Sequence, residues 1–392
     1  MIARLLPTWQ VGRPLPAPTD FATYAREAYR RNPLVFACIL ELAQSVAEPR
    51  LIVEAEQAGE TWAPVPPTHP LRRLLAQPNP EESTAELLTA LIVHLQVGGN
   101  GYLHKRRNGV QQPVELWLLR PDRTAPVVGE DGMLTRWEYT VPGRPMAPVV
   151  PGDLVHVKAA PDPLDDYHGL APLAVAARIV DLDSSAIDYL RGFFLNAGVP
   201  AGILSFKTRV PPEERKRQKD QWREEYQGLR MPSRSLDGGG WADWIGGGGG
   251  SEIGGWHALA VLDAGAEYKE LGSRPEKLRM TAIWEASETR ICQVFGVPPI
   301  LVGAWVGLER STFANYAEAR RSFWEETLSP LYRYLGDVLT RGLAREFGDR
   351  LRVRFDLTTV MALQEDADRR RAWSVKLWDS GLGSLNEARA VA

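Results

Sequence analysis

The stretch HVKAAPDPLDDYHG, residues 156–169, gathers the side chains best suited to chemistry: His156, Asp162, Asp165, Asp166 and His168. Carboxylate oxygens and imidazole nitrogens together are a donor set for a divalent metal, so one reading of the chain is a metal-dependent hydrolase. The spacing matches no strong metal motif, and the alternative reading is a solvated loop that follows a strand. No HExxH, GxSxG or Walker sequence occurs. The two cysteines, Cys38 and Cys292, stand in apolar helical patterns without the paired spacing of a metal or redox site, and read as small core residues. Catalysis is thus unsupported, and neither a cofactor nor a resident metal is expected.

A glycine-rich segment, GGGWADWIGGGGGSEIGGW at 238–256, could suggest a phosphate cradle. It lacks a GK[ST] ending and a helix signal directly after it, so it reads as a surface loop. Its tryptophans, Trp241, Trp244 and Trp256, either pack locally or offer an adhesive patch to a partner. The stretch ICQVFGVPPILVGAWVG, residues 291–307, is more unusual. Pro298 and Pro299 must end a helix near Gly296, and the apolar Ile300, Leu301, Val302, Ala304, Trp305 and Val306 then follow without helical or strand period. A soluble protein has here placed a greasy loop between two helices.

The elements that must position these segments follow from capping and periodicity. Asn32 is suited to cap a helix with Pro33 at its first position and Phe36, Ile39, Leu40, Ala43, Val46 and Ala47 on one face, ahead of a strand RLIVEAE. Ser83 and Glu86 have capping-box spacing before a second helix that ends at Gly98 and Gly99. YLHKRR, VELWLL, MLTRWEY and DLVHVK, separated by turn signals, predict an antiparallel sheet. Helices are predicted over about 173–196, 211–228 and 275–295, and a long one over 313–347 that Pro330 should bend. GILSF, then a hairpin-like pair HALAVL and AEYKEL, make residues 201–275 resemble an inserted α/β domain, and RLRVRFDL is a late strand.

Length and charge bound the rest. A chain of 392 residues with 44% hydrophobic content supports two or three domains. Its 49 acids against 46 bases give a net charge of -3, which argues against tight nonspecific DNA binding. It leaves room for a protein that guides DNA without holding it. No apolar run is long enough for a membrane span, and the apolar stretch before Pro7 is too short to serve as a secretory signal.

The collinear series NPLVFACILELAQSVAEPRLIVE, HPLRRLLAQPNP, GGNGYLHKRRNG, LWLLRPDR, DLVHVKA, GLAPLAVAARIV, FFLNAGVPAGIL and ICQVFGVPPILVG resembles portal proteins of tailed bacteriophages, including those of gene transfer agents. The resemblance covers about 32–386. It implies an α+β portal fold assembled as a ring, usually of twelve subunits, at one capsid vertex where double-stranded DNA enters and leaves. Carried onto this chain, it implies a flexible N-terminal arm at 1–31, a wing at 32–169 and 313–362, and stem helices at 170–198 and 275–298. The small α/β clip would be 199–274, the tunnel loop 299–312 and a short helical crown 363–392.

On that resemblance Val302, Gly303, Ala304, Trp305, Val306, Gly307 and Arg310 form a tunnel loop beside the DNA. Apolar side chains would touch the duplex without pinning it, Gly303 and Gly307 would let the loop change shape, and Arg310 would meet phosphate. The competing reading buries the apolar residues against a neighbouring subunit. Arg215, Lys216, Arg217 and Lys219, with Trp241 and Trp244, would be clip contacts for a packaging motor or head-completion proteins. Implied partners are further copies of the chain, double-stranded DNA, the terminase large subunit, adaptor proteins, and the major capsid and scaffolding proteins, with no membrane. The product would be part of a virion, assembled in a host cytoplasm. A monomeric adaptor is the remaining alternative.

Overall fold

A computed structural model describes residues 20–57, 61–195, 202–205, 211, 213, 217, 260–262, 267–270, 280–308, 312–360 and 373–376. The chain divides into two compact units, one of residues 1–180 with 288–392 and the other of residues 181–287.

Residues 20–31 are structured, which composition alone does not suggest. Asp20 caps a short helix α1, Phe21–Tyr24, by accepting from the Thr23 backbone N–H at 3.1 Å, and a π-helical turn, Ala25–Tyr29, continues it. Phe21 and Ala28 are buried in the main core, and the Phe21 ring meets His94 edge-on at 5.3 Å. The expected arm at 1–31 is therefore corrected for residues 20–31. The proline-rich composition stops at Pro18, and the aromatic FATYAREAY after it has surface to bury, about 1.5–3 kcal/mol for the phenylalanine alone.

Helix α2, Pro33–Ala47, starts where its cap requires: Asn32 Oδ1 accepts from the N–H groups of Leu34 and Val35, each at 3.1 Å. Its core stripe is Val35, Cys38, Ile39, Leu42, Ala43 and Val46, spaced at three and four. Phe36, expected on that face, is instead 44% exposed and packs on Tyr29 at 5.3 Å. Strand β1, Leu51–Glu56, pairs antiparallel with β2, Trp62–Pro64. After α3, Pro70–Ala76, Ser83 and Glu86 close the expected reciprocal capping box at the start of α4, Thr84–Gly98.

The strands that follow form two sheets where one was expected. β3, Asn100–Arg107, lies between β4, Pro113–Leu119, and β8, Leu154–Lys158. β6, Leu134–Tyr139, lies between β5, Thr124–Val128, and β7, Ala147–Val149. The second sheet is hidden in the sequence because Pro126 and Pro148 weaken the patterns of its outer strands, positions where a missing donor is tolerated. Tyr102, Trp137, Val149 and Leu154 form a small core of their own. A hairpin of β9, Pro161–Asp162, and β10, Asp165–Gly169, precedes helix α5, Pro172–Leu195.

In the 181–287 unit, β11, Gly202–Ser205, is central: β12, Ala260–Leu262, runs parallel to it and β13, Glu267–Glu270, antiparallel. The segments read as a hairpin thus flank a third strand rather than pairing with each other. A short apolar pair separated by a turn carries no signal for an intervening partner supplied from far upstream.

Helix α6, Met280–Phe295, ends in the segment that holds α7, Trp305–Leu308. The long helix is broken in kind rather than merely bent: α8, Phe313–Ser322, becomes a π-helix over Phe323–Leu328, and α9, Ser329–Gly342, resumes with Pro330 in its first turn. A proline ring clashes with the carbonyl four residues back, and the wider π turn relieves that clash. Trp324, Leu328, Leu335 and Val338 are buried and Leu331 is half-buried, whereas Ala317 on α8 is exposed. β14, Leu351–Phe355, returns to pair with β1, Leu51 opposite Phe355.

An ion-pair network ties these layers. Lys105, whose side chain is 4% exposed, donates to the Gly342 carbonyl oxygen at 2.8 Å and to Glu346, while Arg107 reaches Glu346 and Asp153.

Candidate functional site

The exit from α6 is built by its last turn. The Val297 N–H donates to the Cys292 carbonyl at 3.0 Å and the Gly296 N–H to that of Gln293 at 3.2 Å, a Schellman pair with Gly296 at φ +66°. A side chain at Gly296 would strain that backbone and press on Thr327, whose atoms stand 3.0 and 3.2 Å from an added Cβ. Thr327, in the π-helix, donates its hydroxyl to the Gly296 carbonyl at 2.7 Å.

Beyond the prolines the segment is closed on itself. The Leu301 N–H donates to Pro298 O and the Ala304 N–H to Pro299 O, both at 3.0 Å; the N–H groups of Gly307 and Leu308 both reach Ala304 O. Glu288 Oε2, on α6, accepts from the Val306 N–H at 3.1 Å. Gly307 is wedged against the loop's own backbone, since an added Cβ would lie 2.3 Å from the Ile300 nitrogen. It acts as a spacer for close packing, which corrects the expectation that Gly307 is a hinge. Gly303, at φ +69° with open space around it, is the position with conformational freedom.

The apolar residues divide. Ala304 is buried, Leu301 and Val302 pack on the main core, and Val306 is half-buried. Trp305 is 63% exposed and Leu308 47% exposed. The loop therefore offers one aromatic face while its base is anchored in the core. Arg310 lies outside the described residues. So do Arg215, Lys216, Lys219, Trp241 and Trp244, whereas Arg217 is an exposed helical residue.

The candidate metal donors do not converge. His156 donates from Nε2 to Asn100 Oδ1 at 2.9 Å, an oxygen that also accepts from the Gly169 N–H, and its ring stacks on Tyr102 at 4.7 Å. Burial, reinforced by Lys158 and His168, pushes its pKa down to about 3. His168 is wholly buried and donates Nδ1–H to Asp165 Oδ2 at 2.8 Å. Burial alone would raise the Asp165 carboxyl, but hydrogen bonds from His168 and Tyr167 hold it below its ordinary value. Asp162 accepts from the Leu164 N–H, and Asp166 is exposed. Among the described residues no three His, Cys, Asp or Glu side chains are placed to hold a metal ion. Asp162, Asp165 and the two histidines instead brace the β9–β10 hairpin, which removes the geometric basis of the hydrolase reading. No helix among the described residues is long and apolar enough to cross a membrane.

Two features were not read from the sequence: the Lys105–Glu346–Arg107 network and the facing of Cys38 and Cys292. Their members are distant in the chain, and no local spacing announces them.

The family model described as "Phage portal protein" matches residues 33–392. The structure of the neck of an empty gene transfer agent particle, computed with C6 symmetry, aligns with a TM-score of 0.68 and 29% identity over 97% of this chain and 95% of that one. The neck of the native particle, computed with C12 symmetry, aligns with a TM-score of 0.64 and 28% identity at the same coverage. The portal protein of Enterobacteria phage HK97 is 25% identical over 328 residues, 82% of this chain and 69% of that protein.

Proposed function

Because this chain belongs to the phage portal protein family, we propose that it is the ring-forming conduit at one capsid vertex through which double-stranded DNA is packaged and later ejected. The observation that carries the reading is the match of one family description from residue 33 to the end of the chain, together with alignment of 97% of the chain to a particle neck. The role is structural rather than enzymatic. Twelve copies form the ring, in keeping with the C12 symmetry of a similar neck.

Within the ring, residues 32–169 and 313–362 serve as wing, 170–198 and 275–298 as stem, 199–274 as clip, and 363–392 as crown. Residues 299–312 are the tunnel loop. An exposed tryptophan on a core-anchored base suits a surface that DNA slides past. Trp305 can brush a duplex, while the absence of lysine and arginine between Gly296 and Leu308 spares the phosphates a fixed hold. Arg310 meets phosphate at the loop's edge. Arg215, Lys216, Arg217 and Lys219, with Trp241 and Trp244, meet the terminase large subunit and head-completion proteins. The wing meets major capsid and scaffolding proteins, and the ring assembles in a host cytoplasm before it becomes part of the virion.

Negative-stain imaging of the purified full-length protein tests the conduit. End-on rings with an open centre are expected. Single subunits under every assembly condition would overturn it.

A further inference from the structure

We propose that Cys38 and Cys292 form a reversible intrachain disulfide latch that clamps α2 to the last turn of α6 and so fixes the base of the 298–308 loop.

The two sulfurs are neighbours although the residues are 254 positions apart: Sγ to Sγ is 3.8 Å, within reach of an S–H···S hydrogen bond. Both residues are free thiols and buried, and they are the sole cysteines of the chain. Bond formation requires the sulfurs to approach by a little under about 2 Å, which side-chain rotation with a small helix shift can supply. Cys292 is placed to matter. Its carbonyl accepts the Val297 N–H in the Schellman pair, so a covalent bond there restrains the turn from which the prolines and the loop depart.

The chemistry closes with a peroxide as oxidant. One thiolate attacks a peroxide oxygen, hydroxide leaves and takes up that thiol's proton as water, and a sulfenic acid remains. The second sulfur attacks the sulfenic sulfur and displaces hydroxide, which takes up the remaining thiol proton as water. Two thiols and one hydrogen peroxide give one disulfide and two waters. Contact with Cys292 and burial push the Cys38 thiol well up, so thiolate is scarce while the helices stay packed. Oxidation then waits on local opening and is slow. The chemistry is independent of the portal role. Only its timing rests on that reading: thiols remain reduced in a cytoplasm and close in particles that have left it.

The test uses the purified full-length chain treated with hydrogen peroxide, then alkylated in denaturant and mapped by mass spectrometry, beside Cys38→Ala and Cys292→Ala. Neither cysteine should remain free, one peptide pair should join them, and Tm should rise by about 5 °C because the closed loop is long. A phosphine reductant should reverse both changes, and both variants should show neither. Thiols still open to alkylation, sulfinic acids in place of the bridge, or a bridge between separate chains would overturn the proposal. A bridge without a rise in Tm would equally refute the clamp.

Discussion

The Thr327 hydroxyl donates to the carbonyl oxygen of Gly296 at 2.7 Å, joining the π-helical turn of the long helix to the left-handed residue at which the loop begins. Thr327→Val keeps the shape and deletes the donor, so unfolding free energy should fall by about 1 kcal/mol, with Thr327→Ser restoring it. Gly296→Ala adds backbone strain to a tight Thr327 contact and should cost more, about 1–3 kcal/mol. Chemical denaturation of the three variants measures the order. Equal losses for Thr327→Val and Thr327→Ser would show the bond contributes nothing.

Trp305 and Gly307, two residues apart, should fail differently. Trp305→Ala removes a side chain that is 63% exposed, so stability and ring formation should stay within about 0.5 kcal/mol of the parent. Gly307→Ala places a methyl 2.3 Å from the Ile300 nitrogen and must open the loop, at a cost of about 1–3 kcal/mol. Deletion of 302–308 should impair genome packaging or retention in assembled heads. Normal full-length genomes in those heads would refute the tunnel-loop assignment.

Acid should weaken the fold through two buried imidazoles. Burial lowers His94 to about 4 and His156 to about 3, against an ordinary value of 6.5. Below pH 6.5 the unfolded chain therefore binds protons that the folded chain refuses, and stability falls as pH falls. Each ring should remove about 1.4 kcal/mol per pH unit until its folded value is reached. Urea unfolding at pH 7, 6 and 5 measures this, and His156→Asn should flatten the slope.

Lys105 and Glu346 are asymmetric partners. Glu346→Ala leaves a buried ammonium with the Gly342 carbonyl as its remaining partner in the network, and should cost about 3 kcal/mol. Lys105→Met removes the buried charge, and Glu346 keeps Arg107, so about 1 kcal/mol is expected. Thermal unfolding of both variants reads the difference, and equal Tm losses would contradict it.

Local signals in the sequence were the reliable ones. Asn32, Ser83 and Glu86 cap as expected because a cap is decided within four residues. Phe36 was misplaced because the stripe's phase follows its neighbours, and Tyr29, itself half-buried against the core, offered an aromatic to pack on. The second sheet escaped notice because Pro126 spoils a strand pattern that an outer position accepts. At the loop, the proline stop and the apolar character were legible. That Glu288 on α6 would hold the Val306 N–H was not, since the two lie 18 residues apart and no local spacing announces the pair.

Pairing of Leu51 with Phe355 makes this chain slow to become itself on the ribosome. At 5–20 residues per second, β1 must wait roughly 15–60 s for β14 to be made. Through that interval one edge of the nascent strand is open to any other copy emerging nearby. Cellular chaperones that shield newly made strands should therefore govern yield, and slowed synthesis between the two strands should lower it.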